Sequence, residues 1–438
     1  STQPTVTRLA EDRANQLQEH DVMDEIVRRL RDEARSRGDF HRVHACLSSS
    51  DIPDEHEARL VVLGPEHPHS KGQADSAARK EAQAILDSRG SSPRSYKNTL
   101  VFLAGDASRL KDLQTAIRQF LAWKSIWDER EQLNLDPFQS KQADTKRKNA
   151  DDTVNVRIPE AYQWLLVPNQ PDPKGSPEWT ETRLQGSDSL ALRASKKLKS
   201  EEMLLVQMGG VRLRLELDRV PLWRGNDVPV KQLVEDFATY LYLPRLRDSD
   251  VLIAAIREGI TLLTWHSETF AYAQSKDADG RYLGLVGGGS AAVQSEGGSI
   301  VVKPDVAAEQ QRRDAEAAKA KAGNGSATVA ETEQTGEQGQ AAGAETTRGA
   351  DTDTPPPPAP TYRRFHGSVQ LDSLRVGRDA SRIADEVIQH LSKYIGANVE
   401  VTLEIRAEMP DGATEKTIRD VTENCRTLRF DSFGFEEE

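Results

Sequence analysis

Cysteine is nearly absent from this chain. Cys46 and Cys425 stand far apart in 438 residues, so they make no disulfide framework, and a reducing, cytoplasmic setting is expected. Long apolar runs are missing too. None approaches the roughly 20 residues that cross a bilayer, so no membrane partner is expected. The first residues, Ser-Thr-Gln-Pro, carry no leader-peptide pattern and no initiator Met, which suggests a processed chain or a piece of a longer one. The phosphate-loop pattern Gly-x-x-x-x-Gly-Lys-Ser/Thr occurs nowhere. Without its nest of backbone N–H groups and its Lys, nothing grips a nucleoside triphosphate in the usual way. The runs Gly287-Gly288-Gly289 and Gly297-Gly298 lack the following Lys and helix, and read as loop glycines. Excess positive charge is missing as well. A net charge of −12 argues against whole-molecule affinity for nucleic acid and leaves only local basic patches.

What is present is 37% hydrophobic and 29% charged, enough for cores in parts of a chain of about two to four domains. The stretch 220–288 organises the middle. Val230, Leu233, Val234, Phe237 and Leu241 recur at helical spacing, and Leu243-Pro244 ends that helix. Asp248 or Ser249 can cap a second helix carrying Val251, Leu252, Ala255 and Ile256. Two short strands are expected at 270–273 and 282–286, joined by the polar turn 275–280. Two helices followed by a hairpin is the order of a winged-helix unit. A small α+β packing module that binds nothing is the plainer alternative.

Before that stretch, 8–37 reads as one amphipathic helix stopped at Gly38. The apolar runs 58–64 and 98–105 read as buried parallel strands, with helices at 75–88 and after Asp106 or Ser108. Strand, helix, strand, helix implies right-handed crossovers. Ligands in such sheets sit beyond the carboxyl ends of the strands, here the segments 65–70 and 106–109. Residues 133–152 read as a helix extension and connector, 152–167 as a strand and short helix, and 190–208 as a helix. A polar helix is expected at 307–322. Residues 323–360, low in apolar side chains and ending in a Pro run, read as a disordered linker. The last stretch, 362–438, has the order β-α-β-α-β of a small α/β sandwich: strands at 365–371, 397–407 and 427–430, helices at 380–394 and 414–425.

Chemistry-bearing patterns are sparse. His41, His44 and Cys46, with His67 and His69, could hold zinc by residue type. The paired Cys-x-x-Cys is missing, however, and ordinary loop hydrogen bonding is the better reading, so no metal is expected. No Ser/His/Asp or Cys/His frame is recognisable. Two basic clusters could neutralise phosphates: Arg193, Lys196, Lys197 and Lys199, and Arg363, Arg364, Arg375, Arg378 and Arg382. Lys276 and Arg281 in the expected hairpin join the nucleic-acid candidates. Acidic neighbours temper each cluster. The helix at 248–259 carries Asp248, Asp250 and Glu258 against only Arg257, whereas a base-reading helix presents Arg, Asn or Gln at its N-terminal end.

The phrases RLVVLGPEHPHS, YKNTLVFLAGDASRL, FLAWKSI, LELDRVPLWRGNDVPVKQLVEDFATYLYLPRLRDSDVLIAAIREGI and TLRFDSFGFEEE resemble the C-terminal part of a large family of bacterial AAA+-type ATPases. These belong to phage-defence loci beside DNA methyltransferases and are similar to the large ATPases of phage growth limitation and BREX systems. The likeness covers 40–303 and 362–438. It implies an α/β and α+β multidomain chain: the end of a parallel-sheet ATPase domain (1–150), a winged-helix-like unit (151–304), a helical then disordered linker (305–361) and a small α/β sandwich (362–438). The family places its phosphate loop upstream of the matched region, so ATP and Mg2+ are implied for the family and not for this chain alone. On the same likeness, Glu66, His67, His69, Asp106 and Arg109 fall at the nucleotide edge or a subunit interface. The implied role is DNA or partner contact within an oligomeric, ATP-driven antiviral assembly, with the companion DNA methyltransferase or other defence proteins as partners. Two alternatives are a non-enzymatic scaffold without nucleic-acid contact and, less supported by the residues, a metal-dependent nuclease.

Overall fold

The computed structural model describes residues 5–324 and a few short stretches between 380 and 435. The chain divides into two compact units, Ser1–Glu333 and Gln334–Glu438. In the second, Ala384–Ile388 and Gln389–Ser392 are helical, inside the helix expected over 380–394. The expected strands at 365–371, 397–407 and 427–430, and the basic cluster at Arg363, Arg364, Arg375, Arg378 and Arg382, lie outside the described residues. Among the described residues no helix is long and apolar enough to cross a membrane.

The first unit opens with α1 (Val6–Gln16) and α2 (Glu19–Glu33), where one helix was expected. Leu17 turns to an extended conformation between them, and α1 is capped by the Thr5 hydroxyl. Then follow β1 (Arg42–Ala45), β2 (Arg59–Val62), α3 (Ala77–Asp87), the small hairpin β3 (Ser88–Arg89) with β4 (Ser92–Pro93), and β5 (Leu100–Gly105). A helical hairpin of α4 (Ala107–Asp128) and α5 (Pro137–Ala161) leads to β6 (Tyr162–Asn169), β7 (Glu178–Arg183) and α6 (Leu190–Ser200).

Five of these strands form one sheet in the order β1-β2-β5-β6-β7. β1, β2 and β5 run parallel, as expected for 58–64 and 98–105, while β6 and β7 are antiparallel. The period of two sends Val101 and Leu103 into the core beneath α2, α4 and α6. It sends Phe102 and Ala104 to the other face, against Ala78, Ala82 and Ile85 of α3. Fully burying a side chain such as Phe102 contributes about 2–3 kcal/mol. The expected boundary at 150 falls inside α5, whose start is fixed by Pro137 and a capping box between Asp136 and Gln139. Residues 133–152 are therefore mostly helix rather than connector, and in 152–167 the order is the reverse of that expected: helix to Ala161, then the strand β6 from Tyr162.

The rest of the unit is α7 (Gly210–Arg219), β8 (Asp227–Pro229), α8 (Val230–Thr239), α9 (Ser249–Thr261) and the single turn α10 (Trp265–Glu268). It continues with β9 (Ala271–Ala273), β10 (Ser275–Lys276), β11 (Tyr282–Leu283), β12 (Ile300–Val302) and α11 (Pro304–Asn324). α7 and α9 touch at paired glycines: a Cβ on Gly210 would stand 2.4 Å from the Gly259 Cα. The expected hairpin of 270–273 with 282–286 is present in interrupted form, as the Tyr272–Val286 bridge and, nearer the turn, the pairing of Ser275–Lys276 with Tyr282–Leu283. β9 also pairs with β12, and β12 with β8, giving a three-stranded antiparallel sheet in the order β8-β12-β9. β10 and β11 form the tip of the long excursion between β9 and β12.

Candidate functional site

The carboxyl edge of the sheet brings together four of the five residues expected there. The His69 backbone extends the ladder beside β5, donating to Gly105 O (2.8 Å) and accepting from Ala107 N (2.9 Å). Its ring is fully buried between Ser76 Oγ (2.7 Å from Nδ1) and Glu181 Oε2 (2.8 Å from Nε2), edge-on to Trp164 at 5.5 Å. Glu181 also accepts the Gly72 N–H (2.8 Å). Burial pulls the Glu181 carboxyl upward, and the bonds from His69 and Gly72 outweigh it, so the group sits below its ordinary range.

A Ser–His–Glu line would serve as nucleophile, base and orienter in an open site. Here Ser76 is itself buried, and its Oγ accepts the Arg79 N–H as the cap of α3. No substrate carbonyl can reach it, and the line is a strut tying the β2–α3 loop to β7.

Asp106 caps α4 in the same economical way. One carboxyl oxygen accepts Ser108 N (3.0 Å), Ser108 Oγ (2.7 Å) and Arg109 N (3.1 Å), and the other accepts Trp164 Nε1 (2.9 Å). Burial opposes ionisation, but these four bonds win and hold the carboxyl at about 2. Glu66 is exposed and folds back over Gly64, where a Cβ would meet its carboxylate at 2.3 Å. His67 Nε2 lies 3.5 Å from Glu66 and 4.0 Å from Glu81. Arg109 stands apart on the exposed side of α4 beside Asp112 (3.8 Å). The two best placed of these residues, His69 and Asp106, already spend their polar atoms within the chain.

The histidines and cysteine once grouped by sequence also separate. His44 is buried on β1 with Nε2 3.2 Å from Arg59, and burial, helped by the Arg59 charge, holds its imidazole down at about 4. Cys46 adopts a left-handed φ of 53°, and burial pushes its thiol up to about 12. Among the described residues no three His, Cys, Asp or Glu side chains converge as metal ligands.

Among the described residues, the six basic candidates each have a partner within the chain. Lys196 pairs with Asp188 (2.7 Å), Lys197 with Glu201 (2.6 Å) and Lys199 with Asp39 (2.7 Å). Arg193 is buried and donates to Tyr162 O (3.0 Å). Lys276 pairs with Asp227 (2.7 Å), which also accepts the Tyr282 hydroxyl, and Arg281 pairs with Asp314 (2.9 Å). On α9 the one cation, Arg257, donates to Val293 O, and Glu258 accepts the Gly210 N–H.

The more telling contact was not legible in sequence. The start of α9 packs against the first sheet's own loops around a cavity of about 10 Å³ lined by His56, Asn98, Thr99, Phe237, Asp248 and Ser249. Buried Asn98 donates to Phe237 O (2.9 Å) and Leu243 O (3.1 Å). Arg245, entirely buried and lowered by that burial to about 10, donates to Pro168 O (2.8 Å) and Met203 O (3.2 Å). Ala58 N donates to Arg247 O (2.8 Å). The α8–α9 corner is thus bonded into the sheet.

No protein-family model, curated protein or solved structure matches this chain.

Proposed function

We propose that the chain is a protein-contact region of an ATP-driven bacterial phage-defence assembly, and that it neither hydrolyses ATP nor reads DNA by itself. The phrase-level likeness described above supports the setting. The order α7, β8, α8, α9, β9, β12 with a sheet in the order β8-β12-β9 supports reading 210–303 as a winged helix, with the excursion 274–299 as its wing.

In that reading α9 occupies the recognition position, and DNA-reading helices of this kind use their N-terminal residues on base edges. The observation that carries the proposal is that the segment leading into α9 is hydrogen-bonded to the first sheet through Asn98, Pro168 and Ala58, while Asp248 and Ser249 share a small cavity with His56, Asn98 and Thr99. A major groove cannot occupy the same space. Lys196, Lys197, Lys199, Lys276 and Arg281 each already face a carboxylate of the chain, which disfavours the second route, contact to backbone phosphates. The exposed apolar side chains Val211 and Leu215, one turn apart on α7, and Leu263 after α9 suit a protein surface better than a phosphate one.

ATP and Mg2+ would be held by a segment upstream of the matched region. The residues at the sheet's carboxyl edge, whose polar atoms bond within the chain, do not fit a triphosphate. Partners of the stated kind are the companion DNA methyltransferase or another component of the same defence system. The test is size-exclusion chromatography of the purified chain with each component, with and without duplex DNA. A complex that forms without DNA and survives raised salt is expected. A complex that forms only when DNA is present would overturn the reading.

A further inference from the structure

β7 is the outer strand of the five-stranded sheet, and its free edge is built to pair. Leu184 N donates to Gln163 O (2.7 Å), which fixes the alternation of the β6–β7 ladder: Thr182 and Thr180 turn their backbone groups toward Leu165 and Val167. Trp179, Glu181 and Arg183 must then turn theirs outward. Among the described residues no backbone or side-chain partner meets those outward groups. Every residue of the strand is at least partly exposed.

We propose that this edge pairs antiparallel with the same edge of a second copy of the chain, about a two-fold axis at Glu181, joining two five-stranded sheets into one of ten. The alternation allows only registers in which outward-facing residues meet each other. Centring on Glu181 sets Trp179 opposite Arg183 of the other copy, twice, and Thr180 opposite Thr182, twice. All three outward-facing residues of each strand then find backbone partners. Arg183, whose Nε donates to Gln163 Oε1 of its own chain (2.8 Å), also falls diagonally from the opposing Glu181, and opposite charges so placed attract across a sheet. The two central carboxylates do not confront each other as free charges, because each is turned back onto His69 Nε2 and the Gly72 N–H. The neighbouring register, centred on Thr180, leaves Arg183 without a facing partner on the strand and places Trp179 opposite Glu181. An isologous contact of this type is closed by its own symmetry. It stands independently of the protein-contact reading above.

The test uses the full chain. Light scattering over a concentration series is expected to show a dimer that dissociates on dilution. Arg183→Pro deletes an outward N–H and a facing side chain, while leaving every inward N–H of β7 in place. It is expected to weaken the dimer by at least roughly tenfold in Kd, with an unchanged circular dichroism spectrum. As a second measurement, a Thr180→Cys/Thr182→Cys chain is oxidised and its cross-links mapped. These positions face each other in a non-hydrogen-bonded pair with Cα atoms about 4.5 Å apart, within disulfide reach. A reciprocal 180–182 bond between copies supports the register. A chain that stays monomeric, a dimer indifferent to Arg183→Pro, or cross-links confined to other pairs overturns the proposal.

Discussion

Replacing Asn98 by Ala tests the junction on which the functional reading depends. The Asn98 carboxamide is buried, 2% exposed, and donates at 2.9 and 3.1 Å to the carbonyls of Phe237 and Leu243. Phe237 O belongs to the last turn of α8, where carbonyls lack helical partners, and Asn98 supplies one from another element. Each neutral hydrogen bond contributes about 1 kcal/mol net, and a buried carbonyl left bare costs about 1–3 kcal/mol. The adjoining cavity is only about 10 Å³, room for about one water, so solvent can rescue at most part of the loss. Asn98→Ala is therefore expected to cost roughly 2–4 kcal/mol. Urea unfolding followed by fluorescence reads this as a lower midpoint with an unchanged slope. Amide exchange at Ser249–Leu252 should quicken in parallel. A loss under about 0.5 kcal/mol, the range of ordinary surface substitutions, would refute the claim that this carboxamide holds α8 and α9 against the sheet.

Three further outcomes follow from the electrostatics. Asp106→Ala should cost about 1–2 kcal/mol at neutral pH as a lost cap. Because the folded carboxyl is depressed to about 2, that contribution is present above pH 4 and fades as pH falls toward 2, which acid-dependent urea midpoints will show. Asp236 is buried beside Arg224 and Gln232, and burial raises its carboxyl despite them. Its stabilising contribution is thus lost as pH rises, and Asp236→Asn should gain on the native chain between mildly acidic and neutral pH in paired melts. His44, held at about 4, makes the fold less stable as pH falls from 6.5 toward 4. His44→Gln should flatten that segment of the stability curve.

Legibility in the sequence followed local burial. β2 and β5 were readable because each is a short apolar run buried on both faces. Asp106 and Asp248 were readable as caps because a cap needs only its own next turn. β1, only four residues long, does not read as a strand, and its His44 reads with His41 and Cys46 as ordinary loop polarity. β7 reads Glu-Trp-Thr-Glu-Thr-Arg and was missed because an edge strand packed on little has no apolar alternation to display. α5 buries only Ala143, Val154, Ile158 and Ala161 over 25 residues, too few for a helical period. The His69 strut was invisible for another reason: Glu181 comes from 112 positions away, and nothing local marks the pair. The same holds for Asn98 reaching Phe237. Arg193, Lys196, Lys197 and Lys199 stand close in sequence, but spacing along the chain does not reveal that Asp39 lies beside Lys199 or Asp314 beside Arg281.

If the N-terminal end of α9 and the basic side chains of residues 193–199 are already used within the chain, as proposed, they are not free for DNA. Titration of a labelled duplex across a salt series decides this. No measurable binding is expected, even at the lowest salt. Binding that falls steeply with salt, and whose slope flattens on charge reversal at Lys196, Lys197 and Lys199, would contradict it, because it would show that these cations release counterions from DNA phosphates rather than remain with their carboxylates.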